Sequence, residues 1–141
     1  MAMFTKPLST NTRSWSDLDL DFVAHPVTKD IVLKRDVEAV KRSVRNLILT
    51  NPYEKPFHPE IASHVRDLLF EPFTPITATL VRNRIETVLE NYEPRVSVTS
   101  VDIVDPQFQH MDNNSLNISI NFTLRNDPNI QSVDILLERI R

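Results

Sequence analysis

The chain contains no glycine in 141 residues, which restricts both the turns it can make and the sites it can build. An average chain of this length carries about ten glycines. P-loops, dinucleotide-binding turns and the nucleophile elbow of hydrolases all depend on glycine, so these sites are excluded. Turns that need a positive φ then fall to Asn or Asp, which tolerate it next best. We therefore expect turns at Asn51, Asn113, Asn114, Asn126 and Asn129.

The rest of the composition indicates one globular domain and excludes several other classes of site. A formal net charge of −3 gives no general reason to expect a nucleic-acid partner. Without cysteine there are no disulfides, zinc-thiolate sites or cysteine nucleophiles. No segment approaches the roughly 18 apolar residues of a spanning helix, and residues 1–12 lack the apolar core of a signal peptide. We expect no membrane partner and a cytosolic folding environment.

Apolar residues spaced three and four apart predict about three helices in the first two-thirds of the chain. The first begins at Asp36 as N-cap, the second begins at Pro59, and the third is capped by Thr77. Pro94 ends the third, because proline excludes its preceding residue from the helical region. The apolar stripes are Val37, Val40, Val44, Leu47 and Ile48, then Ile61, Val65, Leu68 and Leu69, then Val81, Ile85, Val88, Leu89 and Tyr92.

After Pro94 the apolar period changes from 3.6 to 2, which predicts strands. Residues 116–124 alternate without error between apolar and polar, and a last strand begins with the alternation over 133–137. In a regular strand, Val98 and Val101 would face opposite sides of the sheet. We therefore expect a β-bulge or bend at Thr99-Ser100, which would bring both to one face. Residues 17–22 also alternate, and their aspartates favour an edge strand or an extended arm.

This order of elements predicts an α+β fold: about three helices followed by a largely antiparallel sheet of three or more strands. Residues 1–13 are polar and aperiodic, and we interpret them as a flexible N-terminal arm. Residues 14–141 then form a single α+β domain.

No arrangement of residues predicts a catalytic, cofactor or metal site. The four histidines share no helical metal-ligand spacing: His25, His58, His64 and His110. Two carboxylates suffice for glycoside hydrolysis, and the candidates are Glu71, Glu86, Glu90 and Glu93. Nothing in the sequence places one of them in the apolar pocket that raises the pKa of a proton donor. We predict that the chain is not an enzyme and has no cofactor or metal.

The string Glu93-Pro94-Arg95 stands between the third helix and the first strand of the sheet. Pro94 fixes its own φ and stops the helix, so the two charged side chains flank a stiff corner. Arg95 can pair with a carboxylate through two hydrogen bonds, and Glu93 can accept hydrogen bonds from a partner or from its own chain. The residues alone leave both readings open, an outward docking site or an internal clamp.

Two motifs and the residues around them resemble a known family. Segment 57–60 reads Phe-His-Pro-Glu, segment 69–72 reads Leu-Phe-Glu-Pro, and segment 91–96 contains Glu-Pro-Arg. With segment 73–78, they resemble the lysozyme-like baseplate wedge family of T4-like contractile phages, which includes the type VI secretion component TssE. The similarity extends over nearly the whole chain. One departure is Ile61-Ala62, where the family usually has Phe-Gly.

This resemblance implies a structural subunit that helps join wedges to the inner baseplate and initiates tail-sheath assembly. Its partners would be other wedge proteins (the core bundle), the tail sheath protein and the inner baseplate or tube proteins, with six copies per baseplate. Its location would be the virion tail baseplate, after assembly in the host cytoplasm. The resemblance also favours a partner-binding role for Glu93, Pro94 and Arg95. The alternative function is a murein-cleaving lysozyme associated with the baseplate.

Overall fold

The computed structural model describes residues 15–71, 74–104 and 115–138. The arm predicted over residues 1–13 lies outside them. The elements, in chain order, are β1 Ser16–Leu18, β2 Leu33–Arg35, α1 Asp36–Leu49, a 3₁₀ helix Arg66–Phe70, α2 Pro75–Tyr92, β3 Val96–Val104, β4 Ser115–Leu124 and β5 Asp127–Glu138. The chain divides into two compact units, residues 1–39 and residues 40–141.

The described part of the first unit is an antiparallel two-stranded ribbon formed by β1 and β2. Leu18 lies opposite Leu33, and both side chains are about half exposed, at 54% and 47%. Next to these leucines in the chain, the buried carboxylate of Asp19 forms an ion pair with Lys34 at 3.5 Å. Asp19 is the only buried residue between positions 15 and 38, so the ribbon has no apolar core of its own.

The second unit contains an antiparallel sheet in the order β3-β4-β5, and α2 packs against β3. The alternation over 116–124 is β4, whose apolar side chains are all buried while Asn117 is exposed. The expected β-bulge is confirmed, because the register between β3 and β4 shifts between Val98 and Ser100. Pro128 lies in the edge strand β5, a position that proline tolerates because it has no N–H to donate.

Both α-helices bury most of their predicted stripes, and the exception in α2 is Tyr92, which is 37% exposed. The core of the second unit is drawn from α1 (Val40, Val44, Leu47, Ile48), α2 (Val81, Ile85, Val88, Leu89), β4 (Leu116, Ile118, Ile120, Phe122, Leu124) and β5 (Val133, Ile135, Leu137). Helix α2 begins three residues earlier than expected. Its N-cap is Thr74, whose hydroxyl accepts a hydrogen bond from the Thr77 amide at 3.2 Å, with Pro75 as the first helical residue.

The predicted fold class is wrong in its helix count, since the described residues contain two α-helices and not about three. Residues 59–65 are not helical, and only Arg66–Phe70 forms a short 3₁₀ helix. The Ser63 amide donates to the Thr50 carbonyl at 3.3 Å, and its hydroxyl donates to the Ile48 carbonyl at 2.6 Å. The last carbonyls of a helix need such partners, so capping α1 overrides the helical periodicity of this segment. The edge strand or extended arm expected over residues 17–22 is a strand only at its start, where β1 (Ser16–Leu18) pairs with β2.

The expectation that Asn or Asp would take the positive φ angles is also wrong. Of the described residues with positive φ, only Asp36 is an Asn or Asp. Residues 51–54 and 55–58 form two β-turns, each closed by a 3.3 Å bond from the last amide to the first carbonyl. Proline is second in both turns, and the third residues, Tyr53 and Phe57, have φ of 65° and 69°. This is the type II pattern, whose third position normally holds glycine. Asn113 and Asn114 lie outside the described residues. The described positive-φ residues are Phe22, Lys29, Asp36, Tyr53, Phe57 and His64.

Candidate functional site

The predicted site residues form the corner between α2 and β3. Glu93 is the C-cap of α2, with φ −128° and ψ 72°, and its amide still donates to the Leu89 carbonyl at 2.9 Å. Its carbonyl accepts from the amide of Val96, the first residue of β3, at 3.1 Å. Pro94 therefore stops the helix as predicted, and the chain enters the sheet within one turn.

The Glu93 carboxylate is the centre of a buried hydrogen-bond network. Only 2% of the residue is exposed. Arg95 donates through Nε to Oε1 at 2.5 Å and through Nη2 to Oε2 at 2.8 Å. Ser43, on α1, donates its hydroxyl to Oε2 at 2.5 Å. The arginine fork and the carboxylate thus form the two-bond pair that gives both strength and a fixed geometry.

This environment determines the charge of Glu93. Burial raises the pKa of the carboxyl, but the hydrogen bonds from Arg95 and Ser43 and the charge of Arg95 outweigh burial. The net effect holds the pKa of Glu93 below its ordinary value, so the side chain is a carboxylate at neutral pH.

The sequence left two readings of this corner open, an outward docking site and an internal clamp. The contacts that Glu93 makes within its own chain match the clamp. Pro94 is exposed, the Arg95 side chain is 23% exposed, and the Arg95 carbonyl accepts from the Arg125 amide at 3.1 Å. A docking surface at this corner would therefore consist of Pro94 and the outer edge of Arg95, with Glu93 behind them. The partner-binding role itself stays a prediction. Sequence reasoning missed Ser43, which stands 50 positions before Glu93 and belongs to no motif.

Of the four carboxylates considered for glycoside hydrolysis, only Glu93 is buried. The proton donor of that reaction needs a raised pKa, whereas the pKa of the buried Glu93 is lowered. Glu71 and Glu90 are exposed. Within the described residues, no three His, Asp or Glu side chains are grouped so as to hold a metal ion. None of the described helices has the length and apolar character needed to cross a membrane.

Comparison with known proteins decides the family. The family model described as "Baseplate wedge protein gp25" matches residues 34–129, well over half of the chain. This chain belongs to the gp25 baseplate wedge family. The baseplate wedge protein gp25 of Enterobacteria phage T4 is 32% identical over 114 residues, which cover 81% of this chain and 83% of that protein. Members of the gp25 family are structural proteins of the virion tail baseplate, and the corner lies within the matched range.

Solved structures share the gp25-family fold at lower sequence identity. The anti-feeding prophage baseplate contains a chain with TM-score 0.62 and 21% identity, covering 87% of this chain and 84% of its own length. A putative tail lysozyme from Geobacter sulfurreducens has TM-score 0.67 and 22% identity, with coverages of 78% and 96%. A chain of the postcontracted pyocin R2 baseplate has TM-score 0.53 and 14% identity, and the match covers 89% of this chain and 99% of that one. At these identities the likeness shows the fold alone.

Proposed function

We propose that this gp25-family chain joins baseplate wedges to the inner baseplate and starts assembly of the tail sheath. Family membership supports the structural role in a baseplate, and the T4 relative carries the name of a wedge protein. Other wedge proteins, the sheath protein and the inner baseplate or tube proteins are the partners we propose, with six copies of the chain per baseplate.

The single observation that carries the docking proposal is the construction of the corner. Glu93 holds the Arg95 guanidinium through two hydrogen bonds, and Pro94 stiffens the backbone between them. A side chain that is already ordered loses less entropy when a partner binds, so such a corner is suited to docking. We therefore propose that Pro94 and the outer edge of Arg95 contact a neighbouring wedge protein, while Glu93 acts indirectly by positioning Arg95.

Sheath initiation needs a surface on which another chain can add structure, and the edge strands supply one. The strand β5 is an edge of the three-stranded sheet, and β1 pairs on one side only, with β2, among the described residues. An open edge presents unpaired N–H and C=O groups to an extended segment of a partner. We propose that the sheath protein pairs with one of these edges. The alternative is that both are ordinary edge strands of this chain.

Co-expression with the neighbouring wedge proteins of the same virus tests the corner. We expect Pro94→Ala and Arg95→Lys to fold but to co-purify with those proteins at least tenfold less than the wild type. Ser43→Ala is the matched control, since it removes a hydrogen bond to Glu93 and leaves Pro94 and Arg95 in place. It should lower stability and leave co-purification intact. Normal co-purification of folded Pro94→Ala and Arg95→Lys would contradict docking at the corner.

The alternative, murein cleavage, is supported only by the description of the Geobacter sulfurreducens structure, whose likeness is one of fold. A buried carboxylate with a lowered pKa argues against it. Release of soluble muropeptides from peptidoglycan by the purified chain, abolished by substitution of one glutamate, would favour the lysozyme over the structural role.

A further inference from the structure

A groove separate from the corner lies between α2 and the segment that precedes the 3₁₀ helix. Its volume is about 460 Å³, and the apolar part of its wall is formed by Ala62, Leu80 and Val88. Ala62 and Val88 are buried, whereas Leu80 is 42% exposed. A volume between about 300 and 1,000 Å³ with mostly apolar walls is typical of sites that bind a ligand or a side chain.

The groove has one positive charge in its wall and no carboxylate. Arg84 lies on α2, and its Nη1 donates to the His64 carbonyl at 2.6 Å, which fixes the guanidinium at the wall. A guanidinium has five N–H donors, so this one bond leaves others for a ligand. Among the described residues Arg84 forms no ion pair, while the neighbouring His64 is bound to Asp67 at 3.0 Å. The groove is therefore complementary to a carboxylate beside an apolar side chain.

The backbone of the groove determines what shape of partner fits. One wall is α2, whose N–H and C=O groups are used within the helix, and the His64 carbonyl is occupied by Arg84. An extended peptide would gain few backbone hydrogen bonds there, and unpaired buried backbone groups are costly. A helix satisfies its own backbone and presents only side chains, which is the helix-in-groove mode of recognition.

We propose that this groove binds an amphipathic helix of another protein, one that carries a carboxylate flanked by apolar side chains on one face. The carboxylate pairs with Arg84, and an apolar side chain enters between Ala62, Leu80 and Val88. This surface is independent of the corner around Pro94, and either can fail without the other.

The probe is a helical peptide of about 16 residues with both termini blocked. Its binding face carries a leucine, a glutamate four residues later and a second leucine three residues after the glutamate. Binding is followed on the full chain by amide chemical-shift changes, and we expect the largest changes at residues lining the groove. A second peptide with glutamine in place of glutamate should bind at least tenfold more weakly. Equal binding of the two peptides, or no binding of either at millimolar concentration, would overturn the proposal.

Variants of the chain locate the interaction. Arg84→Gln should remove the preference for glutamate, Arg84→Lys should restore part of it, and Leu80→Asp should weaken both peptides. Arg45→Gln, on the exposed side of α1, changes the net charge equally and should have no effect. If Arg45→Gln also lost the preference for the glutamate peptide, that preference would come from general charge attraction, and the proposal would be overturned. Concentration-dependent dimerisation that Arg84→Gln abolishes would assign the groove to a second copy of the chain and also overturn the proposal.

Discussion

At the scale of single residues, Glu93 shows how a motif residue can support both fold and function. Its carboxylate is buried, yet three donor groups from Ser43 and Arg95 satisfy it. A buried charge without such donors would be strongly destabilising. Substitution of Glu93 therefore acts first on stability, and a loss of assembly in a Glu93 variant does not by itself demonstrate a contact with a partner.

We predict that Glu93→Gln lowers the free energy of unfolding at neutral pH by about 1.5–3 kcal/mol, the usual value for hydrogen bonds to a charged group. Because the folded pKa is lowered, the carboxylate stabilises the fold above its unfolded pKa of about 4.3, and this stabilisation is lost as pH falls through the folded pKa. The difference between the free energies of unfolding of wild type and variant should therefore narrow as the pH falls below about 5.

Urea unfolding at several pH values measures this difference. Glu90→Gln, an exposed position on the same helix, is the control and should change the free energy of unfolding by less than about 0.5 kcal/mol. A difference for Glu93→Gln that stays constant down to pH 3 would show that the charge of Glu93 is not what stabilises the corner.

At the scale of elements, the loop between α1 and the 3₁₀ helix shows how a chain without glycine still makes type II turns. Proline fixes φ at the second position of each turn, and the type II conformation then places a residue other than glycine at positive φ in the third position. Tyr53 and Phe57 occupy these positions with side chains 84% and 96% exposed, so burial of the rings does not offset the strain. The left-handed conformation costs about 1–2 kcal/mol for such residues.

We predict that Phe57→Asn raises the free energy of unfolding by about 1 kcal/mol, because Asn tolerates positive φ far better than an aromatic residue. Phe57→Ala is the matched control, since it also removes the ring but keeps a side chain that disfavours the left-handed region. Thermal or urea unfolding of the three proteins checks the prediction. Equal stability of the two variants would mean that the turn is not strained at Phe57.

At the scale of the whole molecule, the two units differ in how much apolar surface they bury. The second unit contains nearly all of the buried apolar side chains, whereas the described ribbon buries only Asp19. A two-stranded ribbon without a core is marginally stable in water. We therefore expect the ribbon to open before the second unit unfolds.

Trp15, the single tryptophan, adjoins the ribbon and reports on it. We predict that its fluorescence changes at a lower urea concentration than the far-ultraviolet circular dichroism, which follows the helices and the larger sheet. In the control Trp15→Phe/Tyr92→Trp, the reporter moves to α2, and the two signals should coincide. Coincident transitions in the wild type would show that the units unfold together.

The sequence by itself determined the elements whose signal is local. The stripes of α1 and α2, the alternation of β4, the bulge near Ser100 and the helix stop at Pro94 all follow from spacing and from backbone restrictions between neighbours in the chain. The family could also be predicted, because the Glu-Pro-Arg and Leu-Phe-Glu-Pro motifs are local strings.

Only the tertiary structure decided where polar groups find their partners. Residues 59–65 have a helical stripe, but Ser63 caps the end of α1 and holds the segment out of a helix. Glu93 turns inward because Ser43, far away in the chain, lies beside it in the fold. The groove at Arg84 likewise joins residues about twenty positions apart. A hydrogen bond depends on distance in space, and the spacing of residues along a chain carries no information about such pairs.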